Sequence, residues 1–251
     1  METLWVTAPI KHGKTTFAEL VSEIYPDSFN IETSEIITEV ADAFHEKMPI
    51  PPLENDIEWM NKWLTFLPPI LKDIVHVDTT YGQLKFTQTD VEENFKQYEK
   101  FFLHSANLTK NPDLANHKIT IENKDSYRPI LQSLGSLLIY KVSGDIWSNE
   151  IAQRLNKAKE LGAPIAIVGG LRYKNDELAA RKYGGHIVDI FRPGMPEIDI
   201  NDPTERERSS IQADIKINND GTIDEFRKLT MNLLDDVQVG QPKSLYIASD
   251  L

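Results

Sequence analysis

Leu4-Trp5-Val6-Thr7-Ala8-Pro9-Ile10-Lys11-His12-Gly13-Lys14-Thr15 decides the reading of this chain. Leu4 to Ala8 is short, apolar and β-prone, and reads as a buried strand. From Lys14 to Ile24 the apolar residues Phe17, Leu20, Val21 and Ile24 recur at helical spacing until Pro26 stops them. Between strand and helix, Ala8 to Thr15 follows the phosphate-binding pattern GxxxxGK[ST], with Ala8 at the first glycine. That chemistry needs consecutive backbone N–H groups converging on phosphate oxygens at a helix N-terminus. Gly13 permits close approach, Lys14 would reach the outer phosphates, and Thr15 would place its hydroxyl on Mg²⁺. Lys11, His12 and Thr16 complete the expected phosphate-binding set. The plain alternative is a lysine-bearing turn that opens an ordinary helix.

Outward from this stretch the chain alternates short apolar runs with helical patterns. Ser28 to Glu32 reads as a second strand, and Thr33 or Ser34 as the cap of a helix running to about Lys47. Met48 to Pro52 is a breaker. Ile57 to Asp73 has helical spacing but contains Pro68-Pro69, and Asp90 to His104 reads as an amphipathic helix. Trp59, Trp63 and Phe66 suit core or interface packing. Arg128–Tyr140 and Asp145–Leu161 read as helices, and Pro164–Val168 as a strand ending at Gly169-Gly170. Asn175–Tyr183 is a helix closed by Gly184-Gly185. His186–Phe191 and Asp214–Ile217 are strands, and a last helix runs from Ile223 to Leu234. Five strands separated by helices imply an α/β fold with a mainly parallel five-stranded sheet. Residues 1–251 are read as one domain, with 53–123 as a largely helical insertion and 237–251 as a C-terminal tail.

Composition narrows the function. The chain has 251 residues, 27 Lys plus Arg against 39 Asp plus Glu, and a net charge of −12. Sequence-independent nucleic-acid binding needs a basic surface, so no nucleic-acid partner is expected. The absence of cysteine removes disulfides, thiolate metal sites and a cysteine nucleophile. The histidines have no metal-ligand spacing, and no Gly-x-Ser-x-Gly element is present. The longest apolar run, Gly162 to Leu171, is too short for a bilayer helix. A soluble, cytoplasmic protein with no membrane partner is expected.

Three further segments follow in order: Arg128-Pro-Ile-Leu-Gln132-Ser-Leu-Gly135 leading to Trp147; Ile165 to Glu177 with Gly184-Gly185 behind it; and Arg192, then Asp202-Pro203-Thr204-Glu205, then Asn219-Asp220-Gly221. Together with the phosphate loop, this order resembles the phage-type deoxynucleoside monophosphate kinases. The resemblance covers about residues 3–47 and 126–235. It implies a P-loop fold of the nucleoside monophosphate kinase type. It also implies ATP and Mg²⁺ as cofactors and a deoxynucleoside monophosphate as acceptor.

Carried over by position, Lys14 and Arg172 serve catalysis, with Arg172 on the transferring or acceptor phosphate. Arg128 and Gln132 line the acceptor nucleotide. Apart from the resemblance, Arg206 and Arg208 lie in the polar segment Asn201–Ser210, which could be a lid bringing positive charge over the phosphates or a salt-bridged surface helix, and Arg192, after an apolar strand, could bind substrate phosphate or stand in an exposed turn. The chain departs from the family pattern at three places: Gly170 stands where aspartate is frequent, Asp202 where histidine is common, and Thr204 replaces serine. With no carboxylate at 170, Glu32, Asp145 and Glu205 are the candidates to assist the metal. Two other functions stay open: a nucleotide-binding protein impaired in catalysis, and a P-loop kinase for another small metabolite. Assembly as a homodimer also stays open.

Overall fold

Apolar runs that are buried on both sides make parallel strands. The computed structural model describes residues 1–47, 57–90, 92, 118–120, 122–195, 203–238 and 246–248. The strands read from the sequence are β1 (Glu2–Thr7), β2 (Phe29–Glu32), β3 (Ile165–Gly169), β4 (His186–Phe191) and β5 (Ile215–Asn218). A short sixth, β6 (Tyr246–Ala248), comes from the C-terminal tail. They form one sheet in the order β2-β3-β1-β4-β5-β6, and every pairing is parallel. The helices are α1 (Lys14–Ile24), α2 (Thr33–Lys47), α3 (Ile57–Ile74), α4 (Lys124–Lys141), α5 (Ile146–Glu160), α6 (Lys174–Tyr183), α7 (Pro203–Arg208) and α8 (Ile223–Gln238).

The chain divides into two compact units. One comprises Met1–Thr33 and Ile151–Leu251, the other Ser34–Glu150. The first unit contains the sheet. Leu4 and Val6 of β1, Ile167 of β3 and Ile190 of β4 share a core with Phe17 and Val21 of α1 and Phe226 and Leu234 of α8. Trp5, one residue out of phase, points to the opposite face, and its indole N–H donates to the Gly184 carbonyl at 2.9 Å. This alternation is why the first strand reads as continuously apolar: both of its faces are covered.

The second unit is helical among its described residues. Pro68 and Pro69 lie inside α3. Prolines remove N–H donors and usually break a helix. Here Leu64, Leu67, Ile70 and Leu71 around them are buried, and the helix continues to Ile74. α4 begins at Lys124, a turn before the expected Arg128. It buries Tyr127, Leu131, Leu134 and Leu138 and leaves Arg128 and Gln132 exposed. A Cβ on Gly135 would stand 2.9 Å from Ile37 of α2, and the Trp147 indole donates to the Gly135 carbonyl at 3.2 Å. The glycine and tryptophan of the R-x-x-L-Q-x-x-G…W pattern therefore pack this unit. Met48–Pro52 and Phe95–His104 lie outside the described residues.

Candidate active site

In an open parallel sheet, ligands collect beyond the carboxyl ends of the strands. In the first unit the ends of β1, β2 and β3 bring Lys14 and Glu32 together. Gly13, the residue before α1, has φ +107°, a left-handed conformation that glycine adopts without strain. Lys14 opens the helix, and its ammonium lies 2.6 Å from Oε1 of Glu32 at the end of β2. Glu32 stands opposite Gly169 in the register. A Cβ on Gly169 would come within 2.8 Å of the Glu32 Oε1, so the bare glycine is what admits the carboxylate. Thr15 is exposed and Thr16 half-buried at the same helix terminus, and Lys11 is exposed with φ +68°.

The segment after β3 carries Arg172. The Leu171 N–H donates to the Val6 carbonyl at 3.3 Å, and the Thr7 hydroxyl donates to the Leu171 carbonyl at 3.0 Å. These contacts hold the segment against the end of β1. The Asp176 carboxylate accepts the N–H groups of Arg172 at 2.8 Å and Tyr173 at 2.9 Å, capping α6. Burial raises the Asp176 pKa from its ordinary value. The two N–H bonds and the Arg172 charge pull the other way, and Glu207 pushes it further up. Glu177, the partner a surface arginine at 172 would use, is engaged elsewhere: Lys174 reaches it at 2.6 Å and the Gln212 N–H at 3.2 Å.

The arginines separate by environment. Arg192, at the end of β4, and Arg206, on α7, are exposed. Arg208 is buried and directed at Asp189 of β4, 3.4 Å away. Burial raises the Asp189 pKa, while Arg208, Lys216 and His12 oppose that rise. Arg208, expected among the residues around the phosphates, is engaged in the fold. Arg128 and Gln132 belong to the second unit, on the exposed side of α4, where Arg128 pairs with Asp125 one turn away. Asp145, also in the second unit, is exposed. Asp202 and the side chains of Thr204 and Glu205 lie outside the described residues.

A model of the deoxynucleotide monophosphate kinases matches residues 70–229. The chain belongs to that family. The match spans Arg128, Gln132, Arg172, Arg192 and Arg206 and bears out the kinase reading: the protein phosphorylates deoxynucleoside monophosphates. Dephospho-CoA kinase from Campylobacter jejuni is a similar solved structure, 14% identical over 95% of this chain and 98% of that one, with a TM-score of 0.41. No curated protein matches. Among the described residues, no helix of this kinase is long and apolar enough to cross a membrane.

Sequence reasoning missed three supports of the site. Asn219 reads as part of a turn, yet its side chain donates to the His12 carbonyl at 3.1 Å. Asp176 is not singled out in the sequence, although an acid three residues into α6 is a capping signal. The Asp189–Arg208 contact joins residues nineteen apart and has no sequence signal.

Proposed function

We propose that this deoxynucleotide monophosphate kinase takes ATP as its donor, that Lys14, Thr15 and Glu32 form the donor end of the site, and that Arg172 serves the transferred or acceptor phosphate. The observation that carries this reading is the Lys14–Glu32 pair over Gly169, at the mouth of the phosphate loop. An oxygen of the acceptor phosphate attacks the γ-phosphorus, and the bond from that phosphorus to the β–γ bridging oxygen breaks. ADP and a deoxynucleoside diphosphate leave. The acceptor phosphate is already ionised, so no strong general base is needed. Positioning and positive charge lower the barrier. Lys14 turns from Glu32 to the incoming phosphates, and Arg172 grips two oxygens of the transferred or acceptor phosphate through its planar fork.

Mg²⁺, when bound, neutralises charge on the β- and γ-phosphates. The residues fit such an ion. Mg²⁺ keeps most of its waters and takes one or two protein oxygens, and the Thr15 hydroxyl and Glu32 carboxylate offer that many. Gly170 has φ +87°, a conformation an aspartate adopts only with strain. A carboxylate from the neighbouring strand replaces one on β3 itself. Arg192 and Arg206 add charge on the phosphate side, and Arg128 and Gln132 serve the acceptor nucleotide, with residues 53–123 as the acceptor-side subregion. The −12 net charge supports small nucleotides, not nucleic acid, as partners. The lack of cysteine suits a reducing compartment such as the cytoplasm.

The test is ADP release coupled to an optical readout, with ATP and each of the common deoxynucleoside monophosphates. Turnover that depends on at least one monophosphate and on divalent metal is expected. ATP binding without release in any combination would replace this reading with that of an impaired enzyme.

A further inference from the structure

The phosphate loop is held by a closed ring of hydrogen bonds that contact with phosphate does not itself require. His12 is only 3% exposed although it lies in the loop. Its ring packs 5.2 Å from the Phe191 ring, and its Nδ1 accepts the backbone N–H of Arg192 at 2.9 Å. The His12 carbonyl accepts Nδ2 of Asn219 at 3.1 Å. Asn219, 6% exposed, is fixed in turn by its own N–H, which donates to the Phe191 carbonyl at 2.7 Å. Residues 12, 191, 192 and 219 thus join the ends of β4 and β5 to the loop after β1.

We infer that His12 and Asn219 are positioning residues of the kinase: they aim the backbone of the phosphate loop and tie it to the segment carrying Arg192. This rests on reading Ala8–Thr15 as the donor-phosphate loop. In a trans peptide the C=O and the following N–H point in opposite directions. With the His12 oxygen drawn to Asn219, the Gly13 N–H faces away from Asn219 and is free for an anion. A carbonyl turned toward the phosphate would repel it. The same amide explains the glycine: a Cβ at 13 would stand 2.5 Å from Nδ2 of Asn219, so brace and glycine depend on each other. The imidazole has a defined role too. To accept that hydrogen bond, Nδ1 presents its lone pair to the Arg192 N–H, and the ring N–H of this tautomer is on Nε2. An apolar side chain of similar size would keep the packing on Phe191 but lose the hold on Arg192.

The experiment uses the full chain and four variants: His12→Leu, His12→Asn, Asn219→Asp and, as control of the loop reading, Lys14→Ala. ATP affinity without acceptor, kcat, acceptor KM and melting temperature are measured for each. His12→Leu and Asn219→Asp, the second placing an oxygen against the His12 carbonyl, are expected to weaken ATP binding about tenfold, with acceptor KM nearly unmoved. His12→Asn, whose Oδ1 stands where Nδ1 stood, is expected to recover most of the loss. Folded His12→Leu and Asn219→Asp proteins within about twofold of the parent in ATP affinity and kcat overturn the inference, even with a lowered melting temperature. His12→Asn no better than His12→Leu overturns the acceptor role of Nδ1. If Lys14→Ala loses ATP while those two keep it, the brace alone fails. If all three keep ATP, the loop reading falls with it.

Discussion

Two loops leave the carboxyl edge of the sheet from paired strands, and they are held in opposite ways. The loop after β1 is held from outside, by an asparagine beyond β5 and a backbone N–H beyond β4. The loop after β3 is held by its own surroundings: Asp176, in the first turn of the next helix, and the end of the neighbouring strand β1. The first arrangement ties the proposed donor-phosphate loop to the whole edge of the sheet. The second makes Arg172 a nearly self-contained arm, whose failure should leave the donor loop intact.

Lys14→Ala gives the largest effect that bears on this comparison. We expect turnover to fall about a thousandfold or more. Stability should change by about 1 kcal/mol or less, because the Lys14–Glu32 pair is partly exposed. Steady-state rates and a thermal melt on one preparation check both; a folded variant with near-normal turnover removes Lys14 from the site.

Arg172→Lys comes next. The charge survives and the fork is lost, so turnover should drop roughly ten- to a thousandfold, with ATP affinity and melting temperature nearly unchanged. Loss of ATP binding in this variant would break the separation of the two loops.

Glu32→Gln should lower turnover about tenfold. It should also weaken binding of Mn²⁺ with nucleotide, read by electron paramagnetic resonance. Unaltered Mn²⁺ affinity would show that the carboxylate serves only to hold Lys14.

The smallest effect is expected of Asp176→Ala, which removes a helix cap worth about 1 kcal/mol and frees the backbone at Arg172. A lower melting temperature and a several-fold loss of turnover, with unaltered ATP affinity, would sharpen the contrast. The pH dependence carries the same sign of information. Burial raises the Asp176 pKa above its unfolded value, so ionisation of this residue is harder in the fold than in the unfolded chain. Its contribution to stability therefore declines as pH rises from the unfolded pKa through the folded one, in the acidic range. The denaturation midpoint of the parent should show an acidic-side decline with rising pH that Asp176→Asn lacks.

The sheet was legible in the sequence because its strands are short apolar runs bounded by glycine, proline or a helix cap. Ile165–Gly169 is buried throughout, and such a run admits few other readings. The strand, loop and helix around Ala8–Thr15 were legible because the phosphate-loop pattern sets residue types at fixed spacing. Helix starts were less so: α4 opens at Lys124 behind Asn123, which makes no side-chain cap bond, and α2 includes both Thr33 and Ser34, the two residues expected as its cap. The family motif did not distinguish chemistry from packing within itself. Gly135 lies against Ile37 and accepts the Trp147 indole N–H at its carbonyl, whereas Arg128 and Gln132 stand on the exposed side of the same helix. Glu32 was one of three carboxylates that could stand in for an aspartate at 170. The register opposite Gly169 is what sets it beside Lys14. Asn219 could not have been found, since a side chain that reaches across 207 positions leaves no local pattern.

The wholly parallel sheet also governs how the molecule is made. Among the described residues, no neighbouring strands are joined by a hairpin, and β1 pairs with β3 and β4 alone. Residues 8–164 must therefore leave the ribosome before the central strand meets its first partner. At about 5–20 residues per second that wait is about 10–30 s. Throughout it, Leu4, Trp5 and Val6 have no strand to pair with. Pairing distant segments also carries a large loop-closure entropy and slows the search. The nascent chain should thus present an apolar N-terminal strand to chaperones for most of its synthesis, and variants that weaken β3 should reduce the yield of soluble protein more than they reduce the stability of what folds.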